Sequence, residues 1–207
     1  LDVSGHGVQA AMVTVSVSQF LQPNSGHLFS RKSGKSAAIH ELRAPADVLV
    51  ALDAEFPFER FNNFFTMTYL MINTRTGELR YSNAGHPHSI VLRKNGTLEL
   101  LRKGGPAIGM GDFRLLSEKK NRFEEGQAQM NPGDKLFVYT DGIIEYENLD
   151  GKLFGTDRFY EALKSIQGQS VTDIVGNSVK ALMDFGNNAN PQDDITLLGL
   201  EFKKSDR

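Results

Sequence analysis

Three aspartate-bearing segments carry the chemistry of this chain: LDVSGHG at 1–7, VYTDG at 138–142 and PQDDITLLGL at 191–200. In each, the aspartate stands where an apolar, strand-like run meets a turn, which sets acidic groups at the rim of a rigid sheet. Carboxylates gathered in this way offer hard oxygen ligands to cations such as Mg²⁺ or Mn²⁺. Two such ions about 3.5–4 Å apart share a water and lower its pKa. The segments are separated by about 140 and 50 residues, so they form one site only if the whole chain folds around it. The chain reads as a metal enzyme.

Other residues with chemical potential weigh less. Asp141-Gly142 alone is an ordinary turn pair, and only its company makes it a ligand candidate. His86 and His88, two apart on an expected strand, face one side and could chelate a metal; the preferred reading is that His86 fixes the Asn-Ala-Gly-His turn by hydrogen bonding and His88 is incidental. GGPAIGM at 104–110 offers backbone amides that could hold a phosphate or act as a switch segment, but it lacks dinucleotide-fingerprint spacing and reads at least as well as a structural loop. Ser33-Gly34-Lys35-Ser36 resembles the end of a P-loop, but Phe29 occupies the required upstream glycine position and no strand feeds it, so nucleotide binding is rejected there. Asn95-Gly96-Thr97 matches a glycosylation sequon and is read as a hairpin turn.

The elements that must position the acids follow from periodicity and turn chemistry. Val8, Ala11, Met12 and Val15 fall at i, i+3, i+4 and i+7, predicting an amphipathic helix over 8–21 with that face inward. The Ser-, Gly- and Lys-rich stretch 24–36 reads as a surface loop, with Arg31-Lys32 and Lys119-Lys120 as solvated loop positions. A second helix, 46–56, starts behind Pro45 with Val48, Leu49, Leu52 and Phe56 on one side. Strands at 64–73 and 78–83 flank one turn, and those at 88–94 and 97–101 flank Asn95-Gly96. Further strands are expected near 115–123, 127–130 and 135–140, the last entered through the turn Pro132-Gly133-Asp134, followed by helices at 157–166 and 171–185. Ser170, with Asp173 three residues on, gives the later helix a capping-box-like start. A strand over 195–202 closes the chain. The fold class is therefore α+β, two mainly antiparallel sheets face to face with helical layers outside.

Composition narrows the function. A chain of 207 residues is within the range of one domain, 1–207, and can bury roughly 70% of its unfolded surface. The net charge of -2, with scattered Lys and Arg, argues against nucleic acid as a partner. The absence of cysteine excludes disulfide scaffolds, Cys-ligated zinc and every thiolate nucleophile, and is compatible with the cytoplasm. No apolar stretch reaches membrane-span length and no signal peptide opens the sequence, so a soluble chain is expected.

Six ordered motifs carry a family resemblance: DVSGHG (2–7), YSNAGHPHSIVL (81–92), GGPAIGM (104–110), GDKLFVYTDGIIE (133–145), KLFG (152–155) and DDITLL (193–198). Together they resemble the metal-dependent type 2C (PPM) protein serine/threonine phosphatases, and DVSGHG with NAGHP resembles the bacterial SpoIIE/RsbU-like branch. The resemblance implies a four-layer α-β-β-α sandwich and two Mn²⁺ or Mg²⁺ ions whose bridging hydroxide attacks a phosphoserine or phosphothreonine. It also implies that Asp2 bridges both metals, that the Val3 carbonyl takes another position, and that Asp141 and Asp193 ligate the first ion. Asp194 ranks as a secondary ligand, because its side chain points the other way on an extended segment. His6 is a candidate general acid, imidazole being the side chain that titrates nearest neutral pH, although it stands two residues later than in the plain DGH arrangement. The implied partners are a phosphorylated signalling protein, plausibly an anti-sigma-factor antagonist, and an upstream sensor or receiver domain. The alternative is a non-catalytic module that keeps the fold and docks a phosphoprotein. Family members carry strands before DVSGHG, so the chain reads as N-terminally truncated, with a sheet edge able to pair with another chain, a homodimer among the candidates.

Overall fold

The structure, a computed structural model, describes residues 1–32, 39–110, 122–165, 167–187 and 189–203. In chain order its elements are β1 (Asp2–Val3), α1 (Val8–Phe20), a 3₁₀ turn (Pro23–Ser25), β2 (Phe29–Lys32), β3 (Ile39–Leu42), α2 (Pro45–Glu55), α3 (Phe58–Phe61), β4 (Phe65–Ile72), β5 (Glu78–Ala84), β6 (Ile90–Leu92) and β7 (Leu98–Leu100). There follow β8 (Gly104–Gly105), β9 (Gly126–Gln129), β10 (Lys135–Tyr139), a 3₁₀ turn (Asp141–Ile143), α4 (Gly155–Ser165), α5 (Val171–Gly186) and β11 (Leu197–Glu201). The α+β expectation of two mainly antiparallel sheets with helices holds. Two compact units share these elements, one of residues 1–71, 80–86 and 103–127, the other of 72–79, 87–102 and 128–207.

The first unit holds most of a five-stranded sheet ordered β1-β4-β5-β8, with β9 also on β5. β1 pairs antiparallel with β4, Asp2 opposite Thr66 and Val3 opposite Phe65. β8 runs parallel to β5, with Gly104 opposite Asn83. The core combines Val13, Val17 and Phe20 of α1 with Val48, Leu49 and Leu52 of α2, Phe56, and Phe65 of β4. The buried face of α2 is the one its spacing predicted. That of α1 is not: Val8, Met12 and Val15 are 78%, 66% and 56% exposed, while Val13, Val17 and Phe20 are buried. Apolar residues occupy all sides of VQAAMVTVSVSQF, so several i, i+4, i+7 registers are available and periodicity alone does not fix the rotation. Packing of Phe20 edge-on against Phe56 selects the observed one.

The expected surface loop at 24–36 is also corrected. β2 and β3 form an antiparallel ribbon, Phe29 opposite Leu42 through Lys32 opposite Ile39, so Arg31 and Lys32 lie on a strand. Ser33–Ser36 and Lys119-Lys120 fall outside the described residues, as does most of the strand expected at 115–123.

The second unit is built on a four-stranded antiparallel sheet ordered β11-β10-β6-β7, with α4 and α5 supplying the rest of its core. The Asn95-Gly96 hairpin forms as expected: Arg93 N–H donates to Thr97 O at 2.8 Å, and Gly96 takes φ +88°, a left-handed conformation that glycine adopts freely. Ser170 caps α5, its Oγ accepting from Asp173 N–H at 3.1 Å. Among the described residues, no helix is long and apolar enough to cross a membrane.

Candidate metal centre

Asp141 opens a 3₁₀ turn directly after β10, and Asp193 precedes β11, its antiparallel neighbour. The ladder runs from Lys135 opposite Glu201 to Tyr139 opposite Leu197, and continues through Thr140 N–H to Thr196 O at 3.1 Å. Both acids therefore emerge at the same end of the same strand pair. One carboxylate oxygen of each lies within 4.8 Å of the other.

Thr140 locks this junction, a role that sequence reasoning missed. Its hydroxyl donates to Asp194 O at 2.9 Å and accepts from Thr196 N–H at 3.0 Å, tying both sides of the loop that bears Asp193. A hydroxyl immediately before Asp-Gly was the available signal. Gly142 completes the fit, since a Cβ there would stand 2.5 Å from Asp194 O. Gly142→Ala is therefore expected to push the 193–194 backbone away, at a cost of about 1–3 kcal/mol, and to weaken metal binding beyond that; thermal unfolding with and without Mn²⁺ measures both.

The donor chemistry fits a hard cation. Asp141 Oδ1 is buried and accepts no hydrogen bond, although a buried carboxylate oxygen without a partner is costly. A cation beside it removes that cost. Asp194 behaves differently: its N–H donates to Asp193 Oδ1 at 2.7 Å and its carbonyl is held by Thr140, so its main observed contribution is to orient Asp193.

In the first unit, Asp2 and Val3 are fixed by β4. Ser4 N–H donates to Phe64 O at 2.9 Å, making Ser4–Phe64 and Asp2–Thr66 the hydrogen-bonded pairs of the ladder. Val3 lies between them in a non-hydrogen-bonded pair, so its carbonyl is directed away from β4. Ser4 Oγ accepts from Phe64 N–H at 3.0 Å and Asn63 Nδ2 donates to Ser4 O at 2.7 Å, clamping the turn that leads to His6. His6 is exposed on that turn.

His86 and the GGPAIGM segment resolve as structure, while His88 keeps a buried Nδ1 with no hydrogen-bond partner among the described residues. His86 is 5% exposed, its N–H donates to Asn83 Oδ1 at 2.8 Å, Asn83 Nδ2 donates to His86 O at 2.7 Å, and its Nδ1 lies 2.8 Å from Thr66 Oγ1. The turn-fixing reading of His86 holds. GGPAIGM contributes β8, and the Gly109 N–H donates to Asp53 Oδ1 at 3.0 Å, while Arg122 pairs with the same carboxylate.

The sequence profile of Stage II sporulation protein E (SpoIIE) matches residues 1–203. The chain belongs to the SpoIIE family. Curated relatives of this SpoIIE-family chain include the phosphoserine phosphatase RsbP of Bacillus subtilis, 31% identical over 151 residues, covering 70% of this chain and 32% of RsbP. Protein IcfG of Synechocystis is 28% identical over 137 residues, 66% of this chain and 20% of IcfG. The chain thus spans between a fifth and a third of the length of these relatives. Among solved structures, the SiaA-PP2C domain of Pseudomonas aeruginosa has a TM-score of 0.74 at 20% identity, covering 97% of this chain and 73% of that one. The RsbU and RsbW domains of Rv1364c from Mycobacterium tuberculosis give 0.67 at 23% identity, 98% and 51%. The catalytic domain of the serine/threonine phosphatase PstP, solved with two manganese ions, gives 0.56 at 15%, 98% and 86%. These likenesses establish the PP2C fold for this SpoIIE-family domain, and the type 2C resemblance drawn from its motifs stands.

Proposed function

We propose that this domain hydrolyses phosphoserine or phosphothreonine in a protein partner, using two divalent cations, Mn²⁺ or Mg²⁺. The observation that carries the reading is the buried, unpartnered Oδ1 of Asp141 beside the Asp193 carboxylate. Asp141 and Asp193 would hold one ion, with Asp2 bridging to the second, the Val3 carbonyl as a further donor and Asp194 in a secondary position. The ions supply an activated water at neutral pH and neutralise charge on the phosphoryl oxygens. The chain's own part is to fix these donors: Thr140 and Gly142 set the Asp141–Asp193 approach, and Ser4 with Asn63 sets the Asp2 turn. Family membership and the name of the phosphoserine phosphatase RsbP support a phosphoprotein substrate; the motif resemblance extends the proposal to an anti-sigma-factor antagonist as that substrate, a sensor or receiver domain as regulator, and the cytoplasm as location. Phosphate release from a phosphoserine peptide should require Mn²⁺ or Mg²⁺ and vanish with chelator. Metal-independent release, or binding of the peptide without release, would replace this reading with the docking-module one.

His6 is assigned as general acid to the leaving serine oxygen. His6→Ala should then lower kcat on a phosphoserine peptide about 100-fold but affect p-nitrophenyl phosphate far less, because that leaving group departs without a proton. Equal losses on both substrates would remove His6 from this role.

A further inference from the structure

Beside the candidate metal centre, the second unit bears an open cleft of about 340 Å³ lined by Glu145, Tyr146, Glu147, Leu153, Gln192 and Asp193. Its walls are built rather than accidental. Phe154 N–H donates to Tyr146 O at 2.8 Å and Asn148 N–H to Lys152 O at 2.9 Å, while Asn148 Oδ1 accepts from Asp150 and Lys152 N–H groups at 3.1 and 2.9 Å. Tyr146 is buried, and its hydroxyl donates to Ala189 O at 2.6 Å, fixing the ring. Gln192 Nε2 donates to Glu147 Oε2 at 3.2 Å, joining the two sides. Among the described residues, neither Glu145 nor Glu147 is paired with a Lys or Arg.

Resting on the phosphatase reading above, we propose that this cleft is a specificity subsite that receives an arginine or lysine side chain flanking the phosphorylated residue of the substrate. Three features choose the ligand. The cleft shares Asp193 with the acid pair, so an occupant sits next to the phosphoryl group being hydrolysed. Glu145 and Glu147 repel phosphate itself and offer carboxylates to a cation, one of which a guanidinium fork engages with two parallel hydrogen bonds. Leu153, 48% exposed at the cleft, gives the aliphatic stem of a long basic side chain an apolar contact, a match that a bare ion does not use.

The test uses the full chain with Mn²⁺ and fluorescent peptides carrying the non-hydrolysable phosphonate analogue of phosphoserine, so that binding is read without turnover. Arginine is placed at each neighbouring position in turn, against alanine. At one or two positions arginine should tighten Kd about tenfold. The double variant Glu145→Gln/Glu147→Gln should reduce that preference to less than about twofold, and Glu147→Lys should shift it towards a glutamate-flanked peptide. No arginine preference at any position would overturn the proposal, as would a preference unchanged in the double variant, or one that excess Mn²⁺ abolishes by occupying the cleft. Phosphate release from the matching phosphoserine peptides is read separately. Its absence alongside an intact, Glu-dependent arginine preference would sink the phosphatase reading and leave the cleft assignment standing.

Discussion

Asp141→Asn is expected to reduce Mn²⁺-dependent phosphate release from a phosphoserine peptide by at least about 100-fold, since even groups that merely orient metal ligands are worth 10–100-fold. The substitution keeps the shape of the side chain and removes the buried charge whose Oδ1 has no hydrogen-bond donor. Stability without metal should therefore stay level or rise. What should disappear is stabilisation by the ion. A ligand at 100 times its Kd adds about 2.7 kcal/mol to a folded protein that binds it, so the rise in Tm on adding Mn²⁺ should shrink sharply in Asp141→Asn. Asp193→Asn should show the same two losses, because Asn retains an oxygen for the Asp194 N–H but not the charge. Unchanged turnover in both variants would remove the acid pair from the reaction.

Asp134→Ala is expected to be the most destabilising of the single substitutions considered, by about 3 kcal/mol, read as a shift in denaturant midpoint. Asp134 is 3% exposed at the turn entering β10 and accepts from Arg93 Nη1 at 2.7 Å, Asn131 N–H at 2.9 Å and Lys94 N–H at 3.0 Å. Arg93 also pairs with Glu99, which keeps its charge compensated and holds the loss below that of a wholly orphaned ion. Burial alone would raise the Asp134 carboxyl, but the Asn131 N–H, the Arg93 guanidinium and the Lys94 N–H outweigh it and hold its pKa below the usual carboxylate value. A depressed folded-state pKa stabilises the protein above the unfolded value of about 3.9, and that contribution is lost as pH drops below this value and through the lower folded-state pKa. Wild type should accordingly lose stability on acidification below about pH 4 more steeply than Asp134→Asn; parallel acid limbs would contradict the assignment.

Local chemistry made much of this legible from sequence. The Asn95-Gly96 hairpin and the Ser170 cap rest on interactions within a few residues, and Val48, Leu49 and Leu52 fall on one face of α2, so each formed as expected. The acid pair was legible because Asp141 and Asp193 are attached to strong strand patterns whose pairing brings their ends together. Elements decided by distant contacts were not. The rotation of α1 depends on what Phe20 and Val17 meet in α2 and β4, and β2–β3 is a ribbon in a polar stretch with no alternation to announce it. β8 is two glycines whose parallel pairing with β5 leaves no periodic trace, and the acid-lined cleft arises from a loop closed by Asn148. Pro132-Gly133-Asp134 read correctly as a turn, while the burial of its aspartate depends on Arg93, 41 residues away.

The β10–β11 ladder carries Asp141 and Asp193 to one end of the strand pair, and the Thr140 and Gly142 contacts just beyond it set their approach, so the helices that lie between them in sequence do not. The connection between α4 and α5 is free to diverge without moving either acid, whereas the turn at Gly142, packed on Asp194 O, is not. A slip of two rungs, by contrast, would carry one carboxylate about 7 Å from the other. Insertions within β11 should therefore be far rarer among descendants of this domain than insertions between α4 and α5, and an engineered graft of foreign helices there should leave the expected rise in Tm on adding Mn²⁺ unchanged.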